Sequence, residues 1–161
     1  MAKRKKKKPL SKLAKKKANP NSTYWRGKAD KTASRVVRLR DKKCLICGRM
    51  GTESKTGFPI NGLDAHHIIS RTNLKHRYNL LNLITLCKSC HKFGHSGISP
   101  HGSGETVEAY WIWLKTDYKM KKHYAFYKAN SIVGNISTHN ECYNRLKQQE
   151  DELIILFHKT S

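Results

Sequence analysis

The chain has 161 residues and a formal net charge of +22 at pH 7, with 33 lysines and arginines against 11 acidic residues. This length allows one domain with a modest core, and the sequence has no run of about 18 apolar residues that could cross a membrane. So strong a positive charge indicates a polyanionic partner. Nucleic acid is the first candidate, because the basic runs have no apolar face that could enter a lipid surface.

The N-terminal segment holds most of the excess charge. Residues 1–43 contain 18 lysines and arginines but only two aspartates. Residues 1–22 are rich in lysine and cannot bury enough apolar surface to fold alone, so we expect a disordered basic arm there. We expect this arm to contact DNA phosphates through residues such as Lys5 and Lys6. A solvated tail that only aids solubility is the alternative.

Residues 29–43 predict a helix, because Ala33, Val36 and Val37 follow a helical period. Arg35 and Arg38 would lie on its basic face, and we expect both side chains to contact DNA. The predicted helix leads directly into the first of two cysteine pairs.

The two cysteine pairs have the spacing C-x2-C and lie at Cys44/Cys47 and Cys87/Cys90. No apolar segment follows the N-terminal lysines, as a secretory signal would require, so we expect the protein in the reducing cytoplasm. In that compartment the two pairs favour one tetrahedral Zn²⁺ with a structural role over disulfides. Cys142 lies outside the pattern and is expected to be an ordinary half-buried thiol.

The segment between and after the cysteine pairs predicts a strand–loop–strand–helix order. Residues 63–69 and 80–86 are expected to be strands, and residues 90–95 a short helix that ends at a glycine. A basic loop containing His76 would join the strands. His101 lies in a later loop, and we expect both histidines at the protein surface.

The C-terminal third predicts two helices. Residues 105–129 read as one amphipathic helix with a stripe that includes Tyr110 and Trp111, which we expect in the core rather than as base-stacking platforms. A last helix, capped by Thr138 or Asn140, should run to about residue 158. These elements divide the chain into the arm at 1–22, a core at 23–104 and a helical extension at 105–161 that packs on the core.

Histidines are concentrated around the second cysteine pair. His66 and His67 lie near the end of a predicted strand, and His91 and His95 would share one face of the short helix. Nitrogens of His66, His91 and His95 could form an open three-ligand metal site, which is typical of catalysis. His67 would then be free to take a proton from water near neutral pH. His95 as a cap of the short helix, or as an exposed residue, is the alternative.

The order His66-His67-Ile68, Asn82 and Cys90-His91, set between two C-x2-C pairs, resembles the HNH, or ββα-metal, nuclease motif. The histidine spacing is also similar to that of the colicin-type nucleases. The resemblance implies an α+β fold, with a small zinc-stapled ββα-metal core and flanking helices. It also implies a metal-dependent endonuclease that hydrolyses phosphodiester bonds in DNA.

The resemblance further implies roles for individual residues. His67 would activate water, Asn82 would orient that base or serve only as a turn residue, and His66, His91 and His95 would bind Mg²⁺ or another divalent ion such as Mn²⁺. Arg71 would grip the phosphate next to the scissile bond, for which its forked guanidinium is suited, or be a solvated loop charge.

A wider stretch of the chain resembles the NinG (Rap) recombination proteins of phages. It comprises Tyr24-Trp25, the run at residues 38–41, the first cysteine pair and the segment at residues 64–71. This resemblance implies branched or recombination DNA as substrate, in the cytoplasm of a bacterium or a phage-infected host. It also raises Asp64, two residues before His66, as an alternative metal ligand.

Several functions stay open at this point. A non-catalytic zinc-knuckle protein that binds nucleic acid would have the same cysteines and charge, and a packaging or ribosome-associated protein would have the same charge. Neither of these two classes of protein requires both His67 and His91. Restriction, homing, recombination and packaging remain possible roles, and either a monomer or a homodimer could serve them.

Overall fold

The computed structural model describes residues 10–130 and 138–160. Within these ranges the fold combines helices with two small sheets, which confirms the predicted α+β class. The helices and strands are α1 Lys12–Ala18, α2 Thr23–Asp41, β1 Thr52–Glu53, β2 Pro59–Asn61, β3 Leu63–His67, β4 Leu83–Cys87, α3 Gly104–Thr116, α4 Lys121–Ala129 and α5 His139–Thr160.

Part of the predicted disordered arm is a helix. The Ser11 hydroxyl caps α1 by accepting a hydrogen bond from the Ala14 amide at 3.2 Å, and the lysines and alanines that follow favour helix. Trp25 of α2 donates from its indole nitrogen to the Lys17 carbonyl at 2.9 Å. The expectation of disorder is therefore wrong for Lys12–Ala18, because the neighbouring helix supplies contacts that this segment lacks alone. Lys5 and Lys6 lie outside the described residues.

Helix α2 is the central support of the fold. It begins six residues earlier than predicted, at Thr23, and ends at Asp41, after which Lys42 takes a left-handed conformation. One side of α2 is buried against the β3–β4 sheet and α5, through Ala29, Ala33, Val36 and Val37. Helix α2 therefore holds the β3–β4 hairpin and α5 in one packed unit.

Strands β3 and β4 form an antiparallel hairpin with His66 opposite Ile84 and His67 opposite Leu83. Both predicted strands are confirmed with different ends: β3 stops two residues earlier than predicted, and β4 starts three residues later and ends one residue later. The later start of β4 arises because residues 80–82 form a 3-10 turn capped by the Asn79 side chain. All five residues of β4 are buried. The strand has helices on both faces, with Leu83 packed towards α2 and Ile84 towards α3, and this accounts for its continuous apolar sequence.

A second, smaller hairpin joins β1 and β2. Phe58 and Ile60 from this hairpin pack with Leu39 of α2 and with Phe157 near the end of α5. The sequence analysis missed both strands, because two and three residues are too few for an alternating pattern to show.

The predicted single helix at residues 105–129 is wrong, because the structure breaks it at Asp117. The Asp117 carboxylate accepts a hydrogen bond from the Lys119 amide at 2.8 Å, and a 3-10 turn follows before α4. This local bond competes with the helical one and turns the chain.

Helix α5 starts at the predicted cap. The Thr138 hydroxyl accepts from the Glu141 amide at 3.2 Å, and the Glu141 carboxylate accepts from the Thr138 amide at 2.9 Å, which is a reciprocal capping box. Helix α5 then packs along α2. Among the described residues, no helix combines the length and the apolar character needed to span a membrane.

Candidate active site

The four predicted zinc ligands come together in the structure. The sulfur atoms of Cys44, Cys47, Cys87 and Cys90 all lie within 4.8 Å of one another, and none of these thiols forms a disulfide. The first pair belongs to a turn after α2, and the second pair to the end of β4 and the short π-helical turn Ser89–Phe93. The predicted grouping of cysteines into one site is therefore confirmed.

Backbone hydrogen bonds shape the first cysteine turn. The Gly48 amide donates to the Cys44 carbonyl at 2.9 Å, and Gly48 has a φ of 75°, a conformation that glycine adopts without strain. The Leu45 amide donates to the Thr85 carbonyl at 3.0 Å, which attaches this turn to β4. Both cysteine pairs are thus fixed to the same buried strand.

The sulfur geometry fits a tetrahedral zinc ion. Four thiolates at the usual Zn–S bond length of about 2.3 Å are separated by about 3.8 Å, and the Cys47 and Cys87 sulfurs are 3.8 Å apart. Burial raises the pKa of the Cys44 and Cys90 thiols, so thiolates at this place need a cation to offset their charge.

Three histidines form a second group. Ring nitrogens of His66, His91 and His101 all lie within 4.8 Å of one another. His66 Nδ1 is 3.3 Å from His91 Nε2, and the His101 ring centroid is 5.2 Å and 5.0 Å from the other two centroids. Burial lowers the pKa of His66 and of His91, which favours the neutral imidazole that a metal ion requires.

The structure brings His101, and not His95, together with His66 and His91. In the described part of the chain, the group comprises His66, His91 and His101 and does not include His95, which is exposed. His101 comes from the loop before α3, outside the predicted motif. His101 is exposed, as expected, but its ring also lies against the rings of His66 and His91. Pro100 and Gly102 on either side of His101 indicate a turn, and this was the sequence signal that could have drawn attention to His101.

The expectation for His76 is also wrong, because only 3% of this residue is exposed. Its ring packs edge-on against Phe126 of α4, with the centroids 5.3 Å apart. The loop that carries it is therefore held against the helices rather than extended into solvent.

Asp64 contacts the three-histidine group through His91. One of its carboxylate oxygens lies 3.4 Å from His91 Nδ1, while His91 Nε2 faces His66. Histidine ligands commonly have a carboxylate on the second nitrogen, which orients the ring. The geometry supports this orienting contact for Asp64 better than the direct ligand role that the sequence raised.

His67 follows His66 in β3, and a different hydrogen bond holds its ring. Its Nε2 is 3.0 Å from the Arg77 carbonyl. Because a carbonyl can only accept, Nε2 donates and carries the proton, and the lone pair lies on Nδ1. Burial lowers the pKa of His67, and the charge of Arg77 adds to this effect. The ring is therefore neutral near pH 7 and able to accept a proton.

Arg77 is itself fixed by α2. Its guanidinium makes a two-pronged contact with the Asp30 carboxylate, at 2.7 Å for each oxygen, and also donates to the Arg71 carbonyl at 2.7 Å. Sequence analysis missed this support, since Asp30 and Arg77 are 47 residues apart. The loop between β3 and β4 is anchored at the residue that holds His67.

Asn82 closes the base of the same loop. Its side-chain oxygen accepts from the Ile69 amide at 2.6 Å, and its side-chain nitrogen donates to the Ile69 and His76 carbonyls, each at 3.0 Å. Asn82 is fully buried. It therefore acts on the backbone two residues beyond His67, and this contact sets where the hairpin ends.

Two arginines predicted to bind DNA are engaged inside the fold. Arg35 Nε lies 2.9 Å from a Glu150 carboxylate oxygen of α5. Arg38 donates to the Ser34 and Ile60 carbonyls, at 3.0 Å and 3.3 Å. Both guanidinium groups link α2 to neighbouring elements, and the DNA contacts of Arg35 and Arg38 stay predictions.

The histidines open into a cleft of about 650 Å³. Arg71 and Lys92 contribute positive charge to its lining, and His66, His67, His91 and His101 also line it. Arg71 is exposed, so its guanidinium is accessible to a ligand in the cleft, and its phosphate contact stays a prediction.

Comparison with known proteins agrees with this geometry. Residues 44–97 match the family model of the HNH endonuclease. The matched stretch starts at the first cysteine of the four-cysteine group, includes His66, His67 and Asn82, and ends before His101. No curated protein and no solved structure shows significant similarity to the chain. The chain therefore contains an HNH endonuclease domain at residues 44–97, with four cysteines positioned to bind a metal ion.

Proposed function

We propose that this protein is a metal-dependent DNA endonuclease in which His67 is the general base. The observation that carries the proposal is the pairing of two features in one cleft. The neutral His67 ring has its lone pair on Nδ1, and a three-nitrogen metal group lies beside it. Proteins with an HNH domain are generally nucleases, and the net charge of +22 suits a nucleic-acid substrate.

Two metal ions with different tasks are part of this proposal. A Zn²⁺ at the four cysteines would be structural, since four thiolates complete its coordination. A second divalent ion would be held by His66, His91 and His101, with positions left for water and phosphate. When bound there, it would polarise the scissile phosphate and stabilise charge on the leaving oxygen.

The donor set of the second site bears on the choice of ion. Imidazole nitrogens suit zinc and nickel, whereas Mg²⁺ and Mn²⁺ prefer oxygen ligands. Three histidines without a carboxylate in the group therefore favour a nitrogen-preferring ion such as Zn²⁺ or Ni²⁺ over Mg²⁺ or Mn²⁺.

The chain's own residues would carry out the proton transfer. His67 Nδ1 takes a proton from the water that attacks phosphorus, and the bond from phosphorus to the 3′-oxygen breaks as the new bond forms. The resulting imidazolium is stabilised by the Arg77 carbonyl, which accepts from Nε2. Arg71 and Lys92 would hold the phosphate in the cleft by charge.

We further propose that the substrate is branched or recombination DNA, and that the enzyme acts in the cytoplasm as a monomer or homodimer. The excess positive charge supports the choice of substrate, because contacts to the phosphate backbone favour recognition of DNA shape over sequence.

The test incubates the purified protein with supercoiled, linear and four-way-junction DNA, with several divalent ions and without them. We expect metal-dependent cleavage, and a loss of about 10²- to 10⁴-fold in rate for His67→Ala. The variant should keep its cysteine-bound zinc and its DNA affinity. Cleavage by His67→Ala at the wild-type rate would exclude His67 as the base, and wild-type protein that binds but never cuts would support a non-catalytic binding protein.

A further inference from the structure

An aromatic wall borders the proposed cutting centre. Tyr110 and Trp111 of α3 line the cleft together with Pro100 and His101. Tyr110 is fully buried, and its ring lies edge-on to His66, with the centroids 5.6 Å apart. Trp111 differs, because 36% of it is exposed although it lies beside this core. The sequence analysis had placed both residues in the core.

Packing on one side holds the Trp111 ring in place. Its centroid is 4.9 Å from that of Tyr127 on α4 and 5.3 Å from that of Tyr110. These ring contacts restrict the indole, so its accessible part is presented to the cleft as a firm surface. A side chain with little freedom left loses little entropy when a ligand covers it.

The two sides of the cleft suit different parts of a nucleotide. Arg71 and Lys92 match phosphate, which needs positive charge. Trp111 offers an accessible apolar ring, which does not recognise phosphate but stacks well on bases. A ligand that fits both sides has a base and a phosphate within the span of one cleft.

We infer that Trp111 stacks on an unpaired base next to the scissile phosphate, so that the preferred substrate has a single-stranded or locally unpaired strand. In an intact duplex each base face is covered by its neighbours, and an aromatic side chain can stack only on a base that has left the pair. This inference rests on the proposed function, because it places the base relative to the phosphate cut at His67.

The test measures binding, with His67→Ala as the parent protein so that little DNA is cut during the measurement. Fluorescence anisotropy compares a labelled single strand with the same strand in a duplex. Adding Trp111→Ala should weaken single-strand binding by about ten- to a hundredfold and duplex binding much less, while Trp111→Phe should retain most of the affinity. Equal weakening on both DNAs would overturn the inference.

Ile112→Ala is the matched control. Ile112 is the next residue of α3 and is 63% exposed, but it does not line the cleft. We expect this variant to bind both DNAs like the parent protein. A loss of single-strand binding as large as that of Trp111→Ala would mean that damage to α3 explains both, and the inference would fail.

A second measurement changes the DNA. Removing individual bases from the single strand, to give abasic positions, should reduce affinity at one position next to the cleavage site, and this reduction should be absent in Trp111→Ala. Abasic strands that bind as tightly as intact ones at every position would contradict stacking, whether or not the tryptophan variant folds.

The two proposals can fail separately. Wild-type protein that cuts no DNA, but binds single strands through Trp111, would contradict the endonuclease and leave the stacking site in place. Metal-dependent cutting that prefers intact duplex and is unchanged in Trp111→Ala would contradict the stacking site and leave the endonuclease in place.

Discussion

The hydrogen bond from His67 Nε2 to the Arg77 carbonyl decides which ring nitrogen can accept a proton. The Asp30 carboxylate holds the Arg77 guanidinium, so α2 indirectly fixes the tautomer and the orientation of the His67 ring. A base held by a backbone atom of an anchored loop needs little rearrangement before it reacts. The catalytic role proposed for His67 thus depends on an ion pair far away in the sequence.

Single substitutions can test whether His101 or His95 is the third ligand of the second metal ion. We expect His101→Ala to lose metal-dependent cleavage and to bind the second divalent ion much more weakly, because it removes one nitrogen of the three-histidine group. His95→Ala should behave like wild type. Cleavage rates and calorimetric metal titrations of both variants check this.

The opposite result would favour the ligand set taken from the motif. Activity that is abolished in His95→Ala and kept in His101→Ala would mean that the short turn after Cys90 rearranges when metal binds.

Sequence alone located the cysteines, His66, His67 and His91, because their spacing is local and specific. It could not locate His101 or Asp30, whose roles arise when distant loops and helices meet. It also joined α3 and α4, since the apolar pattern continues across Asp117 and the Asx-type bond that breaks the helix leaves no periodic trace. The exposure of Trp111 depends on how α4 packs beside α3, which no pattern within α3 reveals.

At the scale of elements, β4 links the two proposed metal sites. Its last residue is Cys87, its first residue pairs with His67, and its middle accepts the backbone bond from Leu45. Because β4 is buried on both faces, a change at one end is transmitted to the packing of α2 and α3.

We therefore expect Cys87→Ser to lose zinc and cooperative folding together, since metal affinity at such a site is part of the folding free energy. Cys142→Ser should keep one zinc per chain, because Cys142 packs against α2 away from the four-cysteine group. Elemental analysis and thermal unfolding of both variants provide the measurement. Folded, active Cys87→Ser without zinc would contradict a structural ion.

At the scale of the whole molecule, the charge distribution predicts the salt dependence of DNA binding. Residues 1–9 carry six lysines and arginines. For every DNA phosphate that the protein no longer neutralises, the slope of log K against log salt should fall by about 0.9 on duplex DNA. Deleting residues 1–9 should therefore flatten the slope while α1, which starts at Lys12, is kept.

A variant of full length, with those six residues changed to serine, separates charge from chain length. It should behave like the deletion. A slope equal to that of wild type in both variants would show that this segment does not bind DNA.

Stability should fall as the solution becomes acidic. Burial lowers the pKa of His123 below its ordinary value of 6.5, with Arg40 and Lys122 adding to the effect. Folded protein then binds fewer protons than unfolded protein, so the free energy of unfolding decreases as the pH falls below about 6.5. The His123 ring contacts the Leu81 carbonyl through Nδ1 at 2.8 Å.

His123→Asn tests this dependence, because the asparagine nitrogen can donate the same bond without titrating. We expect the variant to lose less stability than wild type between about pH 7.5 and 5.5 in urea unfolding. Parallel curves for the two proteins would show that His123 contributes nothing to the acid sensitivity.

The attachment of both cysteine pairs to the strand beside His67 has a consequence for the cell that makes the protein. A newly synthesised chain that has not yet acquired zinc would lack the ordered strand against which its proton acceptor is aligned. Under the proposed function, such a chain could not cut DNA until zinc had bound at the four cysteines.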